Sequence, residues 1–205
     1  MQGIKAQVPG AGPFSLGIDR TPPPTPSPVW PRAEEWVNDN TPTLKWTESP
    51  DISGVVYQLQ IDNDFSLQSP FVYENDNIQE NALTLPVALG DGTYYWRVRA
   101  IDGAGNRSGW STPSLFNVDT VAPRAPTLMS PANGAWTSDN TPAFTWGEVL
   151  DRAGVTYEIQ IGVEENFETL VFKADNLLEN LFTLPEENSL ADGRYYWRVR
   201  AIDNA

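Results

Sequence analysis

Neither cysteine nor histidine occurs in the 205 residues of this chain. The first absence excludes disulfides, thiolate metal sites and a thiol nucleophile. The second removes the commonest general base and the commonest transition-metal ligand. No cofactor and no metal ion is expected on this reading, and no motif rises to a reaction. Cations are also scarce: 13 lysines and arginines face 27 aspartates and glutamates, for a net charge of -14. The acidity is spread evenly over the chain, and an even negative field repels nucleic acid and anionic lipid. Neither is expected as a partner. No apolar run approaches the length that crosses a bilayer, so membrane insertion is not expected, and nothing after Met1 reads as a signal peptide. What the chain does have is 18 prolines, 15 glycines and 11% aromatic residues, a composition that suits many short strands joined by turns.

One stretch organises the rest. Thr93-Tyr94-Tyr95-Trp96-Arg97-Val98-Arg99-Ala100-Ile101-Asp102 returns as Arg194-Tyr195-Tyr196-Trp197-Arg198-Val199-Arg200-Ala201-Ile202-Asp203. With period two, Tyr94, Trp96, Val98 and Ala100 share one face, and Tyr95, Arg97, Arg99 and Ile101 the other. An aromatic and aliphatic face backed by a cationic one predicts a half-buried antiparallel strand. The repetition extends much further. Asp39-Asn40-Thr41-Pro42 recurs as Asp139-Asn140-Thr141-Pro142, and Trp36, Trp46, Asp51, Gly54 and Tyr57 recur one hundred positions later. Upstream, Asp19 matches Asp119 and Pro23 matches Pro123. Insertions fall between framework blocks, which marks them as loops.

The expected architecture is all-β, with two tandem antiparallel sandwiches. Leu44 and Trp46 alternate with polar neighbours in an early core strand, and Tyr57, Leu59 and Ile61 do so in the next, with Gln58 and Gln60 outward. The second copy gives Tyr157, Ile159 and Ile161, with Glu158 and Gln160 outward. A short edge strand is expected around Phe71-Val72-Tyr73 and Leu170-Val171-Phe172. After the first organising strand, a turn over 103–111 leads to a last strand near Ser114 to Val118. The boundaries that follow are a tail over 1–20 holding the last strand of a preceding unit, a first unit over 21–119, and a second over 120–205 lacking its last strand. The proline-punctuated joint Asp119 to Pro126 predicts units set end to end with limited bending. The unpaired strand edge along 195–202 predicts an exchange in which Pro13 to Ile18 of one molecule fills the gap in another, head to tail.

Thr-Pro-x-x-x-Trp at 41–46, Tyr-x-Leu-x-Ile at 57–61, Asp-Gly-x-Tyr-Tyr-Trp-Arg-Val-Arg-Ala at 91–100 and Asp-Gly-Ala-Gly-Asn-Arg-Ser at 102–108 resemble the fibronectin type III and related Ig-like modules. Such modules stand in tandem in large secreted or surface-attached bacterial proteins. The resemblance implies a fibronectin type III-like sandwich, a secreted or cell-surface location, and neighbouring modules of the same polypeptide as the first partners. It implies that Trp46 and Trp146 are core tryptophans, that Tyr94 and Tyr195 are tyrosine-corner residues, and that Leu89 and Leu190 lie under that corner. It transfers no catalytic residue. A non-catalytic spacer or stalk is the implied role, with adhesion to a protein or glycan as the alternative.

Three sets of side chains stand out. Arg97 and Arg99 face outward beside Gln58 and Gln60, as do Arg198 and Arg200 beside Glu158 and Gln160, so cross-strand pairing is expected. Ser108-Gly109-Trp110-Ser111 is similar to half of the Trp-Ser box of cytokine-receptor modules, which implies a cation–π contact of Trp110 with Arg97 or Arg99. Trp36 and Trp136 sit outside clean alternation, where an indole either packs the first strand or the joint or offers a platform to a sugar. Trp30 has no counterpart, position 130 being serine, and is the ring expected to stand exposed. Asp62-Asn63-Asp64 and Glu74-Asn75-Asp76-Asn77 lack the spacing of a calcium loop and read as solvated loops, and Asp39, Asp51, Asp91 and Asp102 read as turn formers.

Overall fold

Alternation and turn chemistry place the strands. The computed structural model describes residues 16–205. The first unit contains β1 (Pro28–Trp30), β2 (Glu35–Val37), β3 (Thr43–Trp46), β4 (Val55–Asp62), β5 (Tyr73–Ile78), β6 (Ala82–Thr84), β7 (Gly92–Asp102) and β8 (Ser114–Val118). They form two sheets, ordered β1-β3-β6 and β2-β8-β7-β4-β5. The second unit contains β9 (Leu128–Ser130), β10 (Ala143–Trp146), β11 (Val155–Gly162), β12 (Leu170–Leu177), β13 (Leu181–Thr183) and β14 (Tyr196–Asp203), ordered β9-β10-β13 and β12-β11-β14. Among the described residues every strand pairing is antiparallel except β2 with β8, where Glu35, Trp36 and Val37 run parallel to Phe116, Asn117 and Val118.

Turns recur with the framework. At 51–54 the Gly54 N–H donates to the Asp51 carbonyl, and at 151–154 Gly154 does the same to Asp151. Both glycines have positive φ, 84° and 81°, a conformation that side chains with a Cβ disfavour. The edge strand of the first unit is longer and later than the sequence pattern predicts. β5 starts at Tyr73 rather than Phe71, and Glu74, Asp76 and Asn77 lie within it instead of in a solvated loop.

The two cores use the same residues to different depths. In the first unit Tyr94, Trp96, Val98 and Ala100 of β7 are buried against Leu44, Trp46, Tyr57, Leu59 and Ile61, under Phe116 and Val118 of β8. In the second, Tyr195, Trp197, Val199 and Ala201 are only partly buried. The cause is the missing cover: among the described residues nothing takes the place of β8 or β2, so β14 ends its sheet. Over Trp197 lies an open groove of about 540 Å³, lined by Trp136, Phe144, Phe167, Leu190 and Tyr195. Of the stretch expected to fill it, Pro13 to Ser15 lie outside the described residues. Leu16 and Ile18 are exposed and form no strand.

Candidate functional site

The motif-bearing aromatics of the core repeat faithfully. Trp46 meets Tyr57 edge-on with ring centroids 5.5 Å apart, and Trp146 meets Tyr157 at the same 5.5 Å. The Tyr94 hydroxyl donates to the Gly90 carbonyl (2.9 Å), and the Tyr195 hydroxyl to the Ala191 carbonyl (3.1 Å). Both are tyrosine corners closed over four residues. Leu89 beneath the first is buried, while Leu190 beneath the second is partly exposed along the groove.

On the outer face of β7 and β4 the side chains form a ladder fixed by register, since Gln58 opposes Arg99 and Gln60 opposes Arg97. Arg97 Nε donates to Gln60 Oε1 and Arg99 Nε to Gln58 Oε1, each at 2.8 Å. Both glutamine amides then donate to Glu74 Oε1 (3.0 and 2.6 Å). A single carboxylate on β5 is thus linked to two guanidinium groups through two amide relays. The Trp110 ring takes both arginines rather than one, at 4.5 Å from Arg97 Cζ and 4.4 Å from Arg99 Cζ. Burial pulls both arginine pKa values down, and for Arg99 the nearby Arg107 and Arg97 add to the effect. Two serines flanking Trp110 hold its segment on β7 beyond the reach of β8. Ser108 Oγ accepts from Ala100 N (2.9 Å), and Ser111 Oγ from Val98 N (3.1 Å).

The second ladder differs in one respect that the alternation misses. Glu158, expected to face solvent, is only 3% exposed. Lys173 and Arg200 both reach its Oε2 (3.1 and 2.8 Å), and Gln160 Nε2 reaches its Oε1 (2.6 Å). These long side chains fold over the carboxylate and take its share of the surface. Burial pushes the Glu158 carboxyl up, but the hydrogen bonds from Arg200, Lys173 and Gln160 and the Arg200 charge together hold it below the ordinary range. Arg198 lies over the Phe167 ring (4.2 Å) and, like Arg200, is exposed where Arg97 and Arg99 are half-buried.

The three tryptophans of the binding reading fall in different settings. Trp30 is half-buried in β1, not free in solvent, and Trp36 is half-buried in β2 beside β8. Trp136, whose first-unit counterpart is half-buried in a strand paired with β8, is 85% exposed. The tryptophan is the same in both units, but among the described residues 135–137 form no strand and no equivalent of β8 stands beside them.

The residues that sequence reasoning did not bring together are aspartates. Asp19, Asp51 and Asp102 converge with one carboxylate oxygen each, all within 4.8 Å of one another, and Asp119, Asp151 and Asp203 do the same. The available signal was the duplication itself: the same three acids fall in a linker, the turn after β3 or β10, and the end of β7 or β14. In the first triplet Ser53 Oγ lies 3.0 Å from Asp19 Oδ2 and 2.8 Å from Asp51 Oδ1, and Asn106 Nδ2 donates to Asp102 Oδ2 (2.8 Å). The backbone and side-chain hydrogen bonds of Ser53 hold the Asp51 carboxyl below its ordinary range. In the second triplet Ala153 stands where Ser53 stood. There desolvation, with the charges of Asp203 and Asp119 beside it, pushes the Asp151 carboxyl up.

Comparison with known proteins agrees with this architecture. Over 87% of this chain and 85% of the other, the structure is similar to the fibronectin(III)-like modules of Clostridium thermocellum CbhA, with TM-score 0.50 and 14% identity. It also matches the FN1-FN3 domains of chicken CNTN1 over 89% of this chain and 63% of that one, with TM-score 0.45 and 16% identity. A third match is the chicken interferon gamma receptor alpha chain, at 88% and 90% coverage, TM-score 0.39 and 12% identity. No family model matches the sequence, and no curated protein is a match to it. Among the described residues no helix is long and apolar enough to cross a membrane.

Proposed function

From the premise that this chain folds as tandem fibronectin type III-like modules, a fold of structural and binding units, we propose that it is a non-catalytic spacer segment of a larger extracellular or cell-surface protein. We place the unit boundaries at 21–119 and 120–205, with 1–20 as the tail before them. One observation carries the reading. In the first unit the tryptophans best suited to grip a ligand are not free rings: Trp36 is half-buried in the strand paired with β8, and Trp110 lies against Arg97 and Arg99. The alternative, adhesion through Trp30, Trp36 or Trp136, requires an indole that stays accessible in a unit whose β8 position is filled. A glycan array and a pull-down from extracellular matrix, each with the 205-residue chain, are expected to show no retained ligand. A ligand retained by the chain and lost on both Trp30→Ala and Trp36→Ala would replace the spacer by an adhesin.

The groove over Trp197 supports a second reading of the same chain. Its counterpart holds Ser114 to Val118, with Phe116 stacked on Tyr94 at 5.8 Å. We propose that Pro13 to Ile18 of another copy occupies the groove as a donated strand, giving head-to-tail chains that grow with concentration. Light scattering on a variant lacking residues 1–18 is expected to show smaller mass at high concentration than the full chain. Equal mass for both would end the exchange.

A further inference from the structure

We propose that Asp119, Asp151 and Asp203 form a calcium site at the joint between the two units. Asp119 follows β8 and is fixed there, its N–H donating to the Val37 carbonyl (3.1 Å). Its next residue is tied as well, since Thr120 donates to Asp91 Oδ1 from both N (3.1 Å) and Oγ1 (2.9 Å). The other two acids come from the second unit, Asp151 from the turn after β10 and Asp203 from the end of β14. The chain has therefore brought three negative charges to one point from three separate segments.

Each acid has one oxygen occupied locally. Asp119 Oδ1 accepts from Val121 N (3.2 Å), Asp151 Oδ1 from Ala153 N (3.2 Å) and Asp203 Oδ1 from Ala205 N (2.9 Å). These bonds orient the carboxylates but add no positive charge. Asp119 is only 2% exposed, and its Oδ2 is buried with no hydrogen-bond donor among the described residues. A buried, unpartnered carboxylate oxygen beside two more carboxylates is an expensive arrangement without a cation. The first triplet shows how protein groups meet the same demand, with the Ser53 hydroxyl and the Asn106 amide among its acids. In the second, Ala153 removes that hydroxyl and leaves the demand open.

Ion type follows from the donors. All are hard carboxylate oxygens, with no nitrogen or sulfur ligand in the chain's histidine- and cysteine-free composition, which selects calcium or magnesium over transition metals. The three carboxylate oxygens lie within 4.8 Å of one another. Calcium accepts an irregular set of protein carboxylates, whereas magnesium demands near-ideal octahedral geometry and keeps most of its water, so calcium is the ion assigned. Water completes the shell. Bound there, the ion ties the exit of the first unit to two turns of the second.

Calcium chloride titrated into the 205-residue chain, followed by calorimetry and by amide NMR, tests this. The expected result is binding with Kd of about 10⁻⁴–10⁻³ M, as in other extracellular calcium modules, with the amides of Val121, Ala153, Gly154 and Asn204 shifting together. Asp151→Asn and Asp203→Asn, both at part-exposed positions, should each remove one equivalent and abolish those shifts, while Asp51→Asn leaves them. Retained shifts in both variants, silence of these amides at about 10 mM calcium, or tighter binding of magnesium would each overturn the assignment. Methyl resonances of the second core, unchanged in either variant, separate loss of the ion from loss of the fold.

Discussion

Trp96→Ala is expected to destabilise the first unit by about 3–5 kcal/mol, enough to separate its unfolding from that of the second in a urea titration. Trp96 has no exposed surface, and it packs on Trp46 with ring centroids 6.4 Å apart. Truncation would leave a void bounded by β3, β7 and β8, whose side chains are already close-packed and cannot all collapse into it. Trp197→Ala, at the matching position, is expected to cost only about 1–3 kcal/mol, because Trp197 already borders the open groove and loses less buried area. Trp96→Phe should fall well below Trp96→Ala, since the Trp96 indole N–H is buried without a partner and its removal is no loss. Far-UV circular dichroism against urea measures all three. Equal costs at positions 96 and 197 would mean that β8 does not set the depth of the core.

The second large effect concerns Glu158 and acid. Its folded pKa is held below the ordinary 4.5, so the carboxylate contributes stability that is fully present above that value and is lost as pH falls through the lower, folded one. The second unit should therefore weaken progressively below about pH 4.5, and Glu158→Gln should flatten that part of the slope. At neutral pH Glu158→Ala is expected to cost about 1–2 kcal/mol, short of the 3–5 kcal/mol typical when a fully buried partner is stranded. The reason is that Arg200 and Lys173 are 68% and 44% exposed and can return to water. Urea midpoints of the second unit from neutral pH to about pH 3, with and without the exchange, decide the matter. An identical acid slope in Glu158→Gln would remove the network from any account of acid stability.

The sheet-forming residues were legible because burial and period two agree at each of them. Tyr94, Trp96, Val98 and Ala100 needed no more than alternation and a repeat. Glu158 was not legible for a related reason: alternation tells which face a side chain leaves from, but not whether neighbouring lysine and arginine stems close over it. The start of β5 escaped because Glu74, Asp76 and Asn77 are poor strand formers, held in place by pairing with β4 rather than by propensity. Trp30 and Trp136 could not be placed by reading each indole alone. What buries or bares a ring at position 36 or 136 is a strand some eighty residues later in the first unit, and its absence in the second. The aspartate triplets lie furthest from local patterns, since each joins a linker, a turn and a strand end that only the fold brings together.

The parallel pairing of β2 with β8 has a mechanical consequence. Force applied along the polypeptide draws the start of the first sandwich and the Asp119 end of β8 in opposite directions. With β2 and β8 running the same way, such a pull slides one strand past the other and loads their rungs, including Glu34 N to the Leu115 carbonyl and Asp119 N to the Val37 carbonyl, at once instead of in succession. A domain clamped this way yields abruptly, all rungs together, and not by peeling one rung at a time.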